Sequence, residues 1–218
     1  MSFDRLAPYY RWLELVTAGK KLHRCRTAFL AEIPAPTNIL LAGEGHGRSL
    51  AEYRRRFPRA QITCLDASPA ILAQARRQLE RLRLPSADIR FIQADALNWR
   101  PEGGPFDLIV TNFFLDCFRR DQLESLIPRL AAAGTPGAHW LVADFQVAPA
   151  GWKRLRSRLI LWSLYRFFRL VTRLPADRLT PPAPLLERAG FILHRRLSFE
   201  GNLLHGDWWI RPSGGRIN

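Results

Sequence analysis

Cysteine is scarce in this sequence. The three cysteines, Cys25, Cys64 and Cys117, form no CxxC pair that could begin a zinc site or a dithiol redox site. The five histidines have no metal-ligand spacing either. We therefore expect neither a disulfide framework nor a bound metal.

Long apolar runs are also missing. No run approaches the roughly 20 residues that cross a bilayer, and the charged Asp4 and Arg5 stand where a signal peptide would need its apolar core. The expected location is the cytoplasm. The sequence has no internal repeat, and its 47% hydrophobic and 24% charged residues are typical of a globular protein. Disordered and collagen-like chains are thereby excluded.

Acidic residues are few relative to basic ones. Lys and Arg number 33 against 19 Asp and Glu, which gives a net charge of +14. After residue 150 there are 13 basic and 4 acidic residues, so the last third carries most of the excess. Such a segment suits a nucleic acid, an anionic membrane or an anionic substrate. An arginine-rich composition that only keeps the protein soluble is the alternative.

Short apolar runs alternate with helical patterns between residues 39 and 145. Strands are predicted at 39–43, 62–66, 89–94, 106–113 and 139–145, and helices at 48–57, 70–82 and 119–133. Strands that alternate with helices pair in parallel through right-handed crossovers. The pattern predicts a doubly wound α/β fold with helices on both faces of a mostly parallel sheet.

The pattern changes after residue 150. A long helix is predicted at 152–173, and a short helix at 185–189 follows a proline-rich loop. Two further strands, at 191–199 and 203–210, flank Glu200-Gly201-Asn202. That spacing predicts an antiparallel hairpin that closes the sheet.

A glycine-rich turn follows the first predicted strand. Gly43, Gly45 and Gly47 form a GxGxG pattern, and the sixth position, where a dinucleotide loop needs a small residue, is Arg48. No Gly-Lys-Ser/Thr follows, which excludes a Walker loop. The tighter pattern suits a nucleoside that has no pyrophosphate.

Carboxylates follow the next two predicted strands. Asp66 ends the second strand about 20 residues after the loop, where a carboxylate can accept both hydrogen bonds of a ribose diol. Asp95-Ala96 follows the third strand and would meet an adenine edge, with Asp95 accepting from the exocyclic amine. The alternative for Asp66 is structural, because Asp66 or Ser68 could cap the helix that begins near Pro69.

From residue 39 to its end the chain resembles the class I S-adenosylmethionine-dependent methyltransferases, because the element order and the loop and acidic residues fall on that family's motif positions. The resemblance implies a seven-stranded, Rossmann-like sheet with an antiparallel last strand and S-adenosylmethionine as cofactor. The implied cofactor-binding residues are Tyr9, Gly43, Glu44, Gly45, Gly47, Asp66, Ala67, Asp95, Ala96, Asn112 and Phe113. One departure is Leu41, where the family usually has an acidic residue; Glu44 could supply a replacement carboxylate.

The expected organisation is a single methyltransferase domain over residues 1–218. Residues 1–35 form a helical cap, which resembles that of the ubiquinone and menaquinone C-methyltransferases, and residues 36–150 form the cofactor-binding core. Residues 151–178 are an inserted amphipathic helix, and residues 179–218 complete the sheet with a helix and the strand hairpin.

The chemistry is expected at the carboxyl ends of the fourth and fifth strands. Asp116 and Asp144 are the candidates for a general base or for substrate orientation. A helix cap or a buried hydrogen-bonding carboxylate is the alternative for each. Asn112-Phe113-Phe114 lacks the two prolines with which nucleobase amino methyltransferases clamp a planar amine, so a nucleic-acid substrate is disfavoured.

The helix at 152–173 is predicted to be amphipathic. Projected at 100° per residue, one arc is apolar and the opposite arc is cationic with two aromatic residues. The apolar arc holds Leu159, Ile160, Leu161, Leu164, Phe167, Phe168, Leu170 and Val171, and the cationic arc holds Arg154, Arg158, Arg166, Arg169, Arg173, Trp162 and Tyr165. Such a helix could line an apolar pocket, contact an anionic membrane, or simply pack on the core.

The sequence thus predicts methyl transfer from S-adenosylmethionine to oxygen or carbon of a small, apolar or lipid-like molecule, with peripheral contact to an anionic membrane. Two other functions stay open. The basic last third would also suit an RNA methyltransferase, and Leu41 would suit a relative that binds the cofactor without catalysis.

Overall fold

The computed structural model of the protein describes residues 19–43, 47–172, 176 and 178–213, without the side chains of residues 19, 20 and 168–172. In chain order the elements are α1 (Gly19–Arg26), β1 (Asn38–Ala42), α2 (Arg48–Arg56), β2 (Gln61–Asp66), α3 (Pro69–Arg81), β3 (Ile89–Gln93), β4 (Phe106–Asn112), α4 (Arg120–Ala132), β5 (Gly134–Phe145), α5 (Gly151–Thr172), α6 (Ala183–Arg188), β6 (Ile192–Phe199) and β7 (Leu204–Ile210). A single 3₁₀ turn, Leu115–Cys117, separates β4 from α4.

The strands form one seven-stranded sheet in the order β3-β2-β1-β4-β5-β7-β6. The first five strands are parallel, and β7 pairs antiparallel with both β5 and β6. The doubly wound sheet with an antiparallel last strand that the sequence predicts is confirmed.

Both faces of the sheet are covered by helices. On one face Leu126 and Leu130 of α4 pack in an apolar cluster with Trp140 and Trp209 of the sheet. On the opposite face α2 and α3 contribute the apolar side chains, among them Leu50. Burial on both faces explains why the central strands read as nearly continuous apolar runs.

A third apolar cluster lies beyond the carboxyl ends of β4 and β5. It brings Leu22 of α1 and Leu161 and Tyr165 of α5 against Phe113 and Phe145. We call it the strand-end cluster. It fastens α1 and α5 over the edge of the sheet where the functional residues are expected.

The orientation of α5 differs from the predicted one. Leu159, placed on the buried arc by projection, is 57% exposed, whereas Tyr165, placed on the cationic arc, is 5% exposed. The helix buries only a narrow face, with Ser157, Leu161 and Tyr165 each four residues apart. This helix is apolar on more than one side, so a helical projection cannot show which side packs on the protein. The neighbouring elements of the fold decide that.

Strand β5 begins earlier than predicted. Gly134 already pairs with Phe106, and the register shifts between Phe106 and Leu108. The residues before His139 include two glycines and a proline, which are typical of turns. An irregular strand end can hold them because a bulge relaxes the ladder there.

The three cysteines are free thiols. Among the described residues, no helix is both long enough and apolar enough to span a bilayer.

Gly47 begins α2 in a left-handed conformation, with φ +77°, and an added Cβ would stand 2.6 Å from the Cα of Ala75 in α3. Gly47→Ala is therefore expected to lower the free energy of unfolding by about 3 kcal/mol, from backbone strain plus collision with a main chain. Urea titration followed by circular dichroism measures this change.

The control for this substitution is Gly190→Ala. Gly190 has φ +86°, but nothing lies within 4 Å of its added Cβ. It is expected to cost about 1 kcal/mol, from strain alone. Equal costs at the two positions would show that α2 and α3 do not approach as closely at Gly47 as described.

Candidate active site

The sheet order creates a crevice between β1 and β4. From these two central strands the chain continues to opposite sides, to β2 on one side and to β5 on the other. Doubly wound folds bind ligands outside the carboxyl ends of the strands at such a switch point. Gly43 follows β1 and Asn112 ends β4, so both border this crevice.

Gly43 begins the glycine-rich loop in a conformation that excludes other residues. Its φ is +70°, and its N–H donates to the carbonyl of Leu65, at 2.9 Å. An added Cβ would stand 2.1 Å from the ring of Phe114. The loop thus starts under an aromatic ring from the end of β4. The predicted cofactor contacts of Tyr9, Glu44 and Gly45 fall outside the described residues.

Asp66 ends β2, and Asp95 comes two residues after β3 at the same edge of the sheet. The Ala94 N–H donates to the main-chain carbonyl of Asp66, at 3.1 Å, which fixes the end of β3 beside the end of β2. Asp66 is half-buried and Asp95 is exposed. Of their neighbours, Ala67 is half-buried at the edge, whereas Ala96 packs into the core.

The helix cap before α3 belongs to Ser68, not to Asp66. The Ser68 hydroxyl accepts from the Ile71 N–H, at 3.3 Å. Asp66 accepts from the Ser68 N–H through Oδ1, at 2.9 Å, and so supports the turn before the helix. Of the two residues that could cap α3, Ser68 is therefore the one that does so.

Asn112 presents a buried acceptor at the crevice. Its side-chain amide donates to the Ser49 hydroxyl of α2, at 3.4 Å. Its Oδ1 is buried and has no hydrogen-bond partner in the part of the chain that the structure describes. A buried acceptor left unpaired costs about 1 to 3 kcal/mol, so this oxygen is suited to receive a donor from a ligand.

Phe113 directs its ring into the strand-end cluster. Its N–H donates to the Ala143 carbonyl at 2.7 Å, and its φ is +51°, a strained value for a bulky residue. The ring packs edge-on against Phe145, with centroids 5.4 Å apart, and the Arg26 guanidinium lies 5.1 Å from its centroid. Its predicted contact with the cofactor stays a prediction.

The structure brings the two candidate catalytic carboxylates together. The Asp116 N–H donates to Asp144 Oδ2 at 3.1 Å, and the Phe145 N–H donates to Asp144 Oδ1 at 2.8 Å. The two side chains also share a hydrogen bond. Asp144 is 1% exposed. The pair joins the 3₁₀ turn after β4 to the end of β5.

Burial raises the pKa of both carboxyl groups. Desolvation raises the pKa of Asp116 to about 6, although hydrogen bonds from Cys117 and Asp144 act in the opposite direction. Desolvation and the charge of Asp116 raise the pKa of Asp144 well above its ordinary value. Both shifts favour the protonated form, so a proton taken up by the pair can be shared between Asp116 and Asp144. An Asp116 carboxylate with this pKa can accept a proton at physiological pH.

Sequence reasoning missed three residues at this site. Phe114 covers Gly43, Ser49 accepts from Asn112, and the Tyr165 hydroxyl donates to the main-chain carbonyl of Asp116, at 3.0 Å. Phe114 stood in the segment singled out after β4, but nothing in its sequence distinguishes it from Phe113. Nothing in the sequence indicated a role for Tyr165, because Asp116, to which it donates, is 49 residues away.

The described residues contain no group of three His, Cys, Asp or Glu side chains that could hold a metal ion. The sheet order, the glycine turn at its switch point and the carboxylates at the ends of β2 and β3 are the features of a Rossmann-like fold that binds an adenosine-type cofactor.

Comparison with known proteins identifies the family. Residues 39–137 match a family described as a methyltransferase domain. Demethylmenaquinone methyltransferase of Thermus thermophilus is 32% identical over 151 residues, which are 68% of this chain and 66% of that protein. Trans-aconitate 2-methyltransferase of Paracidovorax citrulli is 40% identical over 111 residues, which are 50% of this chain and 39% of that protein.

A solved structure shares the fold. It is the structure of 1,6-didemethyltoxoflavin-N1-methyltransferase from Burkholderia thailandensis with bound 1,6-didemethyltoxoflavin and S-adenosylhomocysteine. The two structures align with a TM-score of 0.66 and 17% sequence identity, over 96% of this chain and 86% of that chain.

The chain belongs to the class I S-adenosylmethionine-dependent methyltransferases. It matches about two fifths of the length of the trans-aconitate relative and two thirds of the demethylmenaquinone relative. The family that the sequence resembles is thus confirmed, together with its cofactor, S-adenosylmethionine.

The described residues fit this cofactor. Asp66 and Asp95 stand at the edge where a ribose and an adenine would lie, with Oδ1 of each accepting from the main-chain N–H two residues further on. The buried Asn112 Oδ1 can accept from an ammonium group. At the position where the family usually has an acid, Leu41 is buried in the apolar cluster beneath α2 and α3.

Proposed function

We propose that the protein transfers a methyl group from S-adenosylmethionine to oxygen or carbon of a small, apolar or lipid-like molecule. The bound cofactor supplies a methyl group activated by the positive charge on its sulfur. In this proposal Asp66 and Asp95 hold the nucleoside, Asn112 accepts from the amino-acid portion, and the glycine loop that Gly43 begins lies beside it.

One observation carries the acceptor side of the proposal. The Asp116–Asp144 pair lies beside the strand-end cluster, in which Phe113, Phe145 and Tyr165 are buried. An apolar acceptor bound near Asp116 would have these apolar and aromatic side chains beside it, and the carboxylate would be the charged group.

The role proposed for Asp116 is to take the proton that the acceptor loses. A hydroxyl group or an acidic carbon must lose a proton when it is methylated, and a carboxylate with a pKa of about 6 can take it at neutral pH. Asp144, buried and with its pKa raised well above the ordinary value, holds Asp116 in place through the hydrogen bond that its Oδ2 accepts from the Asp116 N–H. The Tyr165 hydroxyl, bonded to the Asp116 main chain, fixes the same turn from α5.

The two curated relatives are named for different acceptors, one a carboxylic acid and the other a quinone. The apolar strand-end cluster favours the second kind for this chain. The basic last third is compatible with an RNA substrate, but the site offers no proline-framed clamp for a base.

The test is a transfer assay with isotope-labelled S-adenosylmethionine. The acceptors are hydroxylated quinones and long-chain phenols, with trans-aconitate, a primary amine and total RNA as comparisons. We expect label in the apolar acceptors at a rate at least about tenfold above the comparisons, because an apolar pocket discriminates by desolvation. Label confined to trans-aconitate, the amine or RNA would contradict the proposal, as would no transfer to any of the five.

A further inference from the structure

Four large apolar side chains form a row on the outer surface of α5. They are Trp152, Leu155, Leu159 and Trp162, and their exposed fractions are 70%, 63%, 57% and 64%. Spacings of three, four and three residues place them on one face of the helix. We call this row the outer stripe. At a rise of 1.5 Å per residue it is about 15 Å long.

Basic side chains flank the outer stripe. Arg156, Arg158 and Arg166 are exposed on or beside its face of the helix, and Lys153 and Arg154 are exposed further round. The Arg166 guanidinium lies 5.9 Å from the centroid of the Trp162 ring. The sequence of α5 contains no Asp or Glu. The outer side of α5 therefore combines large exposed apolar side chains with positive charges and no negative ones.

The opposite face of α5 is already fastened to the protein. Ser157 accepts from the Ala148 N–H at 3.1 Å and donates to the Arg154 carbonyl at 3.0 Å, while Leu161 and Tyr165 pack in the strand-end cluster. The outer stripe can thus meet a partner while the helix stays in place. Docking need not compete with packing, because different apolar residues face outward and inward.

We propose that the outer stripe is a docking surface for the anionic face of a lipid bilayer. Tryptophan is suited to the headgroup layer, and leucine between the two tryptophans would reach the boundary with the acyl chains. The flanking lysine and arginine side chains can extend to lipid phosphates while their methylene stems cover apolar surface.

Charge complementarity favours this occupant over a second copy of the chain. Two copies meeting through the outer stripe would bring ten exposed cations together with no carboxylate from either helix. Like charges across an interface oppose association. An anionic bilayer offers negative charge to the cations of this face and an apolar interior to the outer stripe.

The docking surface and the candidate active site share one helix. Trp162 faces outward, and Tyr165, less than one turn further, donates to the Asp116 carbonyl. Docking would hold the strand-end cluster close to the membrane surface, where lipid-like acceptors are concentrated. That consequence rests on the proposed function, whereas docking itself does not.

The experiment is sedimentation of the whole protein with vesicles, without cofactor or acceptor. Vesicles of phosphatidylcholine alone are compared with an equal mixture of phosphatidylcholine and phosphatidylglycerol, at salt of about 0.01 M and about 0.15 M. We expect binding to the anionic vesicles that weakens with salt, and at least about tenfold weaker binding to the neutral ones.

Two variants and one control assign the binding to this surface. The double variant Trp152→Ser with Trp162→Ser is expected to bind anionic vesicles at least about tenfold more weakly. Arg156→Gln with Arg158→Gln should lower binding at low salt by about 25-fold, from roughly fivefold for each charge. The control, Ile192→Ser with Leu193→Ser, changes exposed apolar residues on the edge strand β6 and should bind like the unchanged protein.

Three results would overturn the proposal. The first is no sedimentation with anionic vesicles at low salt, and the second is unchanged binding by the tryptophan variant. The third is a dimer in lipid-free solution that the tryptophan variant abolishes, because it would assign the outer stripe to a second copy. Since no methyl acceptor is present, none of these results bears on whether the chain transfers methyl groups.

Discussion

Replacing Asp66 with alanine is expected to weaken the binding of S-adenosylhomocysteine by about 2 to 3 kcal/mol, or roughly 30- to 150-fold. Asp66 ends β2 at the edge of the sheet where β3 also ends, and we expect its carboxylate to accept charge-assisted hydrogen bonds from a ribose diol there. Isothermal titration calorimetry at neutral pH measures the change, and S-adenosylmethionine should show the same loss.

The control for Asp66→Ala is Asp88→Ala. Asp88 is exposed at the opposite edge of the sheet, just before β3, and its removal should leave the affinity unchanged. Asp66 also accepts a hydrogen bond from the Ser68 N–H, which supports the start of α3. Thermal unfolding of both variants shows how much stability is lost with that bond. If Asp66→Ala binds like the unchanged protein, Asp66 is not part of the cofactor site.

Replacing Asp116 with asparagine is expected to lower turnover at least tenfold while leaving cofactor affinity intact. Asparagine keeps the size of the side chain but cannot take up a proton. The pKa of Asp116 is raised to about 6 by burial, and a base acts only when ionised. The turnover of the unchanged protein should therefore rise with pH through about 6, and the variant should lose this rise.

The comparison for Asp116→Asn is Asp121→Asn, which changes an exposed carboxylate at the start of α4. It should keep both turnover and the pH profile. Full turnover by Asp116→Asn on the methylated acceptor would remove this residue from the chemistry and direct attention to Asp144, which is bonded to it. A lower turnover with an unchanged pH profile would indicate orientation of the acceptor rather than proton transfer.

Much of the fold could be predicted from local patterns. Central strands that are buried on both faces appear in the sequence as continuous apolar runs. The helices between them have apolar residues at every third or fourth position, so the order of elements and the parallel sheet can be predicted directly. The edge at which the cofactor residues are expected was predictable for the same reason. Gly43 and Asp95 follow strands and Asp66 ends one, and parallel strands end at one edge.

The remaining features depend on contacts between distant segments. The buried face of α5 could not be chosen from its sequence, because Leu159 and Leu161 are equally apolar and only the strand-end cluster distinguishes them. The bond from Tyr165 to Asp116 joins residues that no spacing rule connects. The start of β5 at Gly134 was hidden by residues that normally form turns.

The central claim is that the carboxyl edge of β1, β2, β3 and β4 holds the adenosine-type cofactor. A crystal structure of the protein with S-adenosylhomocysteine tests it most directly. The account predicts density for the ribose within hydrogen-bond distance of Asp66, the adenine at Asp95 and the amino-acid portion near Asn112. Density at another place in the fold, or none at a saturating concentration of the ligand, would contradict it.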